Sequence, residues 1–462
     1  MKERTLSTQE PNPGKAADYI QRMPDGTVKQ RNPLTGTQVW TVPGRAHRPI
    51  SMLPENPSPI DADANRHTCA FCTDRYLETP PEKSRLVRDI SAYGEVSWRQ
   101  IDHISPSEIF RTTAAFRRIP NLFEIVSYTY WNLGHGHQPS EEQRRLMAQY
   151  LGSSEGYDHV INIITRRLMA SGMSEEKISA MSEPELLSYA YGFFAGGHDV
   201  IVARRHFVEG ATNDNQLASA GTLSPEEHYR YTQFTIDALK DLYTLNENVK
   251  YVAAFQNWLR PAGASFDHLH KQLVAIDERP VQLDAELSRL RENPDLYEEI
   301  LHFAVTRGLV IAQNPHAVAI AGFGHRYPTL AVWPLGPIRQ PWEYSEAEVR
   351  GVSDLLHAMH KATGADVPSN EEWYHCPPRL KGSVTMRWRL LLKWRISTLA
   401  GFEGGTRIYL NTLDPWTIRD RMVKRLLELR EESEGAEAAG HEATLGKMDI
   451  GDECRVTMDM LK

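Results

Sequence analysis

The 462-residue sequence has four cysteines, no run of about 18 apolar residues and no excess of positive charge. Each shortage excludes something. Cys376 and Cys454 are isolated and far apart, so no disulfide framework holds the chain, and a reducing compartment suits it. Without a long apolar run there is no membrane-spanning helix, and the polar, Pro-containing stretch from Met1 to Gly14 lacks the apolar centre of a signal peptide. A cytoplasmic location is therefore expected, with no membrane partner. The formal net charge of -8 gives no general attraction to a polyanion, which argues against long nucleic acid as a partner. A local cluster of donors can still hold a small phosphorylated ligand. With 41% hydrophobic and 24% charged residues, the composition is that of a globular protein of two or three domains.

Residues 1–28 mix Gly, Pro, Lys and Glu without apolar period and read as a mobile arm. A strand is expected at Val39 to Val42, followed by a basic turn with Arg45 and Arg48 and a Pro- and Asp-rich loop that delivers Cys69-Ala70-Phe71-Cys72. Residues 127–195 have helical character and read as an insertion. His198 to Ala203 is strand-like, Ser224-Pro225-Glu226-Glu227 is a helix start, and Tyr251 to Phe255 is a further strand. Strand-like stretches at 309–312, 317–321 and 329–333, a helix at 345–361 and strands near 390–394 and 407–410 repeat that order. The fold expected is α+β, with two copies of one unit, residues 29–280 and 281–430, each an antiparallel sheet with helices. The acidic, Ala/Gly-rich segment 431–462 reads as a mobile tail.

Two features point to chemistry. Cys69 and Cys72 can place two thiolates on one ion, though a tetrahedral zinc site needs two more ligands; alone, the pair also fits a redox couple. In Asp267-His268-Leu269-His270-Lys271-Gln272 the two imidazoles share one strand face, so one can serve a metal and the other a substrate. The plainer reading is a pair of buried histidines satisfied by hydrogen bonds. Gly263 and Ser265 just before them would let a phosphate approach the backbone.

Taken together the motifs resemble the galactose-1-phosphate uridylyltransferase family of the histidine-triad superfamily, in order over residues 30 to 425. Asn32-Pro33-Leu34-Thr35-Gly36 with Arg45-Ala46-His47-Arg48-Pro49 resembles the family's opening, and Cys69-Ala70-Phe71-Cys72 with Glu78-Thr79-Pro80-Pro81-Glu82 its cysteine motif. Arg118-Ile119-Pro120-Asn121 and Gly197-His198-Asp199-Val200 follow. Most specific is Phe255-Gln256-Asn257, then Gly263, Ser265, His268, His270 and Gln272, which agree in every spacing.

The resemblance implies a nucleotidyltransferase that exchanges a nucleoside monophosphate between a nucleoside diphosphate sugar and a sugar 1-phosphate, with His270 as nucleophile. It implies zinc on Cys69, Cys72, His206 and His268, with His135 and His137 as reserves for His206. It places Ser265 and Gln272 at phosphoryl oxygens, and Arg45, Arg48, Asn121, Asn257 and Gly263 at nucleotide or phosphate. It also implies a homodimer. Plainer roles stand beside these: a solvated turn for Arg45 and Arg48, self-bonded turn residues for Asn121 and Asn257, a water-facing strand position for Gln272.

The pattern breaks in the second half. Where the family commonly has His-Trp-His, this chain has Arg387-Trp388-Arg389. Arginine stays protonated and does not ligate metals as histidine does, so the second-half metal site of some relatives is expected to be missing. The two side chains would bring positive charge to the cleft or pair with surface acids. Two rival functions follow: a dinucleoside polyphosphate phosphorylase or hydrolase, favoured by cationic residues in the cleft, and a non-catalytic nucleotide-binding protein, in which the histidines serve zinc and fold alone.

Overall fold

Runs of Val, Ile, Leu and aromatic residues, broken by Gly- and Pro-containing turns, form the strands. The computed structural model describes residues 19–43, 56–380 and 386–461. The first half contributes β1 (Ile20–Arg22), β2 (Val28–Arg31), β3 (Gln38–Thr41), β4 (Ser84–Ile90), β5 (Val96–Asp102), β6 (Phe116–Pro120), β7 (His198–Ala203), β8 (Tyr251–Trp258) and β9 (His270–Ile276). The second contributes β10 (Val310–Asn314), β11 (Ala317–Gly322), β12 (Thr329–Pro334), β13 (Ser369–Tyr374), β14 (Arg389–Trp394), β15 (Ile408–Asn411) and β16 (Asp449–Ile450).

Twelve of these strands form one sheet in the order β16-β10-β11-β12-β14-β13-β8-β9-β7-β6-β4-β5. All its pairings are antiparallel. The sheet is two halves joined where β13 pairs with β8, with Asn370 opposite Asn257. Reading outward from that seam, β8-β9-β7-β6 is matched by β13-β14-β12-β11. The fold is thus α+β, built of two histidine-triad-like halves. The match puts His270, which opens β9, at the same place as Arg389, which opens β14.

The helices Pro225–Leu242 and Glu346–Thr363, one from each half, lie on one face of the sheet and pack against each other, with Pro415–Ala438 beside the second against β10 and β11. Ser224 and Ser345 cap their first turns and are answered by Glu227 and Glu348, so each start is fixed by local sequence. Lys271 lies under these helices, its ammonium 2.6 Å from Glu371 and over the ring of Tyr231. Because strand neighbours alternate sides, His270 and Gln272 face the opposite side, the one on which the helix Val281–Glu292 meets the second half through the bond between Glu286 and Arg389. Between Val126 and Gly196 a set of short helices forms the insertion, with its own small core around Val160, Ile163, Ile164 and Phe193.

Two expectations of mobility are corrected. Within the segment read as an arm, Ile20–Arg22 pairs with β2, and Ile20 is buried. At the other end, the helix Pro415–Ala438 runs through the start of the supposed tail, Asp449–Ile450 pairs with β10, and Leu461 is buried. Charge and small residues masked these segments, because what docks them is distant in sequence: Tyr19 packs on Phe303 and Phe323, and β16 lies against β10.

Candidate active site and metal centre

Cys69, Cys72, His206 and His268 converge, their ligand atoms all within 4.8 Å of one another. The Cys69 and Cys72 sulfurs are 3.8 Å apart; His268 Nδ1 lies 3.4 Å from Cys69 Sγ, and His206 Nδ1 3.7 Å from Cys72 Sγ. His268 Nε2 donates to the Ala203 carbonyl at 2.6 Å, which fixes the tautomer and turns Nδ1 toward the sulfurs. Asn65 Oδ1 accepts from the backbone N–H groups of His206 and Phe207 and so holds the third ligand's loop. Contact between the two sulfurs holds the Cys72 thiol far below its ordinary value, helped by His206 and His268, and pushes the Cys69 thiol up. Two soft sulfurs and two imidazoles in a closed tetrad are the donor set that suits a structural zinc ion. The reserve histidines are elsewhere: His135 bonds Asp277 at 2.7 Å, and His137 lies 3.3 Å from the Ala195 carbonyl.

Two residues beyond His268, the His270 ring is buried, at 5% exposure, with the Phe71 ring 5.4 Å away. Its Nδ1 lies 2.7 Å from the His268 carbonyl and donates to it, and no described residue bonds its Nε2. Burial lowers the imidazole to about 4, so it is neutral at pH 7 and keeps a lone pair on Nε2.

Gln272, on the same face, accepts at Oε1 from His198 Nε2 at 3.1 Å, while Asn121 Nδ2 lies 3.0 Å from that same imidazole nitrogen. The backbone N–H of Ile125 donates to His198 Nδ1. His198, given no role from sequence alone, thus organises the carboxamides beside His270; its alternation with Val200 and Val202 on β7 was the available signal. Asn257 Oδ1 accepts from Asn370 Nδ2 at 2.7 Å, and Asn257 Nδ2 lies 3.5 Å from the Gly263 carbonyl. Gly263 has φ of 90°, a left-handed conformation that favours glycine, and Ser265 is exposed on the same loop. Arg45 and Arg48 lie outside the described residues.

The second-half counterpart is built differently. Arg387 donates to the carbonyls of Pro334 and Gly336, both at 2.9 Å, and of Leu461 at 2.8 Å. Arg389 pairs with Glu286 at 2.5 and 2.7 Å and bonds Tyr297 at 3.1 Å. Both arginines are buried, so the expectation of two unpaired charges in the cleft, or of pairing with surface acids, is corrected. One clamps the C-terminal segment and the other completes an interior ion pair. Among the described residues, the first-half tetrad is the one cluster able to hold a metal.

Known proteins extend the comparison. The chain is 28% identical over 400 residues to ADP-glucose phosphorylase of Arabidopsis thaliana, covering 84% of this chain and 89% of that one. It is 22% identical over 229 residues to galactose-1-phosphate uridylyltransferase of Thermotoga maritima, covering 44% of this chain and 69% of the relative. Among solved structures, an Arabidopsis thaliana ADP-glucose phosphorylase with bound ADP-glucose superposes with a TM-score of 0.54 at 20% identity, over 86% of this chain and 98% of that one. A galt-like protein from the same plant gives 0.53 at 18% identity, over 85% and 97%. Residues 23–462 match the family described as Domain of unknown function (DUF4921). The chain belongs to that family, within the galactose-1-phosphate uridylyltransferase-like group of the histidine-triad superfamily.

Proposed function

We propose that this protein is a nucleotidyltransferase that takes a nucleoside monophosphate from a nucleoside diphosphate sugar onto Nε2 of His270. The observation that carries the reading is the bond from Nδ1–H to the His268 carbonyl, which leaves Nε2 as the basic nitrogen of a neutral ring. Its lone pair attacks the α-phosphorus; the N–P bond forms, the bond from phosphorus to the bridging oxygen breaks, and sugar 1-phosphate leaves with that electron pair. An acceptor oxygen then attacks the same phosphorus, and the N–P pair returns to the imidazole.

Gln272, with Oε1 engaged by His198, directs its amide N–H groups toward a phosphoryl oxygen, and Ser265 offers a hydroxyl from the adjoining loop. One such donor contributes about 2.7 to 4 kcal/mol in comparable anion sites. Asn257, Gly263 and Asn121 frame the nucleotide; Arg45 and Arg48 are assigned to it by the sequence resemblance alone. Cys69, Cys72, His206 and His268 would hold zinc as a structural ion that ties the cysteine loop to β9. The active form is a homodimer by analogy with the group.

Similarity to ADP-glucose phosphorylase over most of the chain favours an adenylyl group, with phosphate as the acceptor. Similarity to the Thermotoga uridylyltransferase supports a second reading, in which the group is uridylyl and the acceptor a sugar 1-phosphate. Intact-mass spectrometry after exposure to ADP-glucose and to UDP-glucose separates them. A gain of one nucleoside monophosphate, lost in His270→Gly, is expected. No gain with either, or a gain that persists in the folded variant, would overturn the reading.

A further inference from the structure

A cavity of about 320 Å³ opens on the second half's share of the sheet, over β13 and β14. It stands where the internal repeat puts the counterpart of the His270 site, with Arg389 in its wall. Four cationic side chains, Arg326, Arg389, Lys393 and Arg395, line it against two carboxylates, Glu286 and Glu372. Both carboxylates are engaged, Glu286 by Arg389 and Glu372 by Lys393 at 2.5 Å. Arg326 and Arg395 pair with no carboxylate among the described residues. Their guanidiniums instead lie over the Tyr327 ring, at 5.3 and 4.7 Å from its centre, and that of Arg326 also lies 5.4 Å from the centre of the Tyr409 ring. Arg395 Nε is buried without a hydrogen-bond partner. In a chain of net charge -8, two guanidiniums with no carboxylate in direct contact and an orphaned N–H beside a cavity suit an anion.

The remaining wall is neutral and rich in hydrogen-bonding groups. Thr35, Thr37 and Tyr409 contribute hydroxyls, and Asn370 contributes an amide. Such a lining matches a polyhydroxylated body beside the anionic group, and the volume suits a ligand of monosaccharide phosphate size. Asn370 Oδ1 accepts from Arg395 at 2.6 Å, while its amide nitrogen donates to Asn257 across the seam. A ligand held by Arg395 is thereby linked through two hydrogen bonds to a residue of the first-half site.

We propose that this cavity is a second, non-reacting site for a sugar phosphate, in which Arg326 and Arg395 hold the phosphate and the hydroxyl- and amide-bearing wall holds the sugar. The duplicated half keeps a pocket where the first half keeps its nucleophile; with arginine in the histidine's place it binds without transferring. The inference does not rest on the reaction assigned to His270.

Glucose 1-phosphate and inorganic phosphate are the probes, titrated by calorimetry into the full chain carrying His270→Gly. A component of glucose 1-phosphate binding is expected that survives Gln272→Ala and weakens by about 10- to 100-fold in Arg326→Gln. Arg395→Gln should weaken the same component. Arg326→Gln alone, with His270 restored, should form the nucleotidyl adduct at the parent's yield, so the adduct assay reports on the other site separately. Binding untouched by both arginine substitutions, or the absence of any such component, would overturn the second site. Inorganic phosphate binding as tightly as the sugar phosphate would overturn the ligand class. Arg326 is exposed, so its substitution tests the proposal even if Arg395→Gln does not fold.

Discussion

The two halves present the same strand to the same side of the sheet, and they differ at its first residue. In the first half that residue is His270, a neutral ring with one nitrogen tied to its own strand and the other carrying a lone pair. In the second it is Arg389, a permanent cation locked to Glu286 in the interior. An imidazole can accept phosphorus and release it; a guanidinium can only attract. The repeat therefore teaches that one sheet scaffold carries opposite side-chain chemistry at the same position, a neutral ring with a free lone pair in one half and a paired cation in the other. The neighbours follow suit. His268 joins a metal-binding tetrad, while Arg387 pins the C-terminal segment by three carbonyl bonds.

The sharpest way to break this contrast is to remove the first-half ring. His270→Gly is expected to lower turnover of the nucleotide sugar by about 10⁴-fold or more in a variant that is still folded at the assay temperature, checked by its circular dichroism spectrum. Turnover retained within about tenfold would place the chemistry elsewhere. In the second half the effect should fall on stability instead. Arg389→Ala leaves Glu286, 1% exposed, without its cation, and should cost about 3 to 5 kcal/mol in urea unfolding. A loss below about 1 kcal/mol would show that the pair does not hold the second half together.

Smaller effects sharpen the picture. Cys72→Ser removes a buried sulfur from the tetrad and should weaken zinc affinity by about 100-fold, read by competition with a chelating dye, with no comparable effect of Cys376→Ser. Least in size is a pH effect at the edge of the insertion. Burial raises Glu124 to about 7, despite Arg167 at 3.3 Å. Its folded pKa thus exceeds the unfolded value of about 4.3, so the stability it contributes is complete below pH 4.3 and is lost as the pH rises through about 7. Glu124→Gln should flatten the fall in unfolding free energy between pH 5 and 8 by about 1 to 3 kcal/mol. An equal fall in both proteins would assign it to other groups.

Much of the site could be read along the chain because its parts are local. His270 and Gln272 are two apart on β9 with His268 two residues before its start, Cys69 and Cys72 lie on one short turn, and the helix starts at Ser224 and Ser345 carry their own caps. What escaped was held by distance. Glu286 meets Arg389 across 103 residues, Asn370 meets Asn257 across 113, and His198 reaches Gln272 across 74. No periodicity announces such partners.

The sequence by itself determined the two-residue spacing that sets His268 beside His270, the caps that start the long helices, and the exchange of histidine for arginine in the second half. Only the tertiary structure decided that His206, and neither His135 nor His137, meets His268 in the candidate metal tetrad, that Arg389 is paired with Glu286, and that both ends of the described chain are docked. The reason is physical: local backbone preference acts within a few residues, whereas the charge and burial of a side chain depend on whichever distant segments the folded sheet brings beside it.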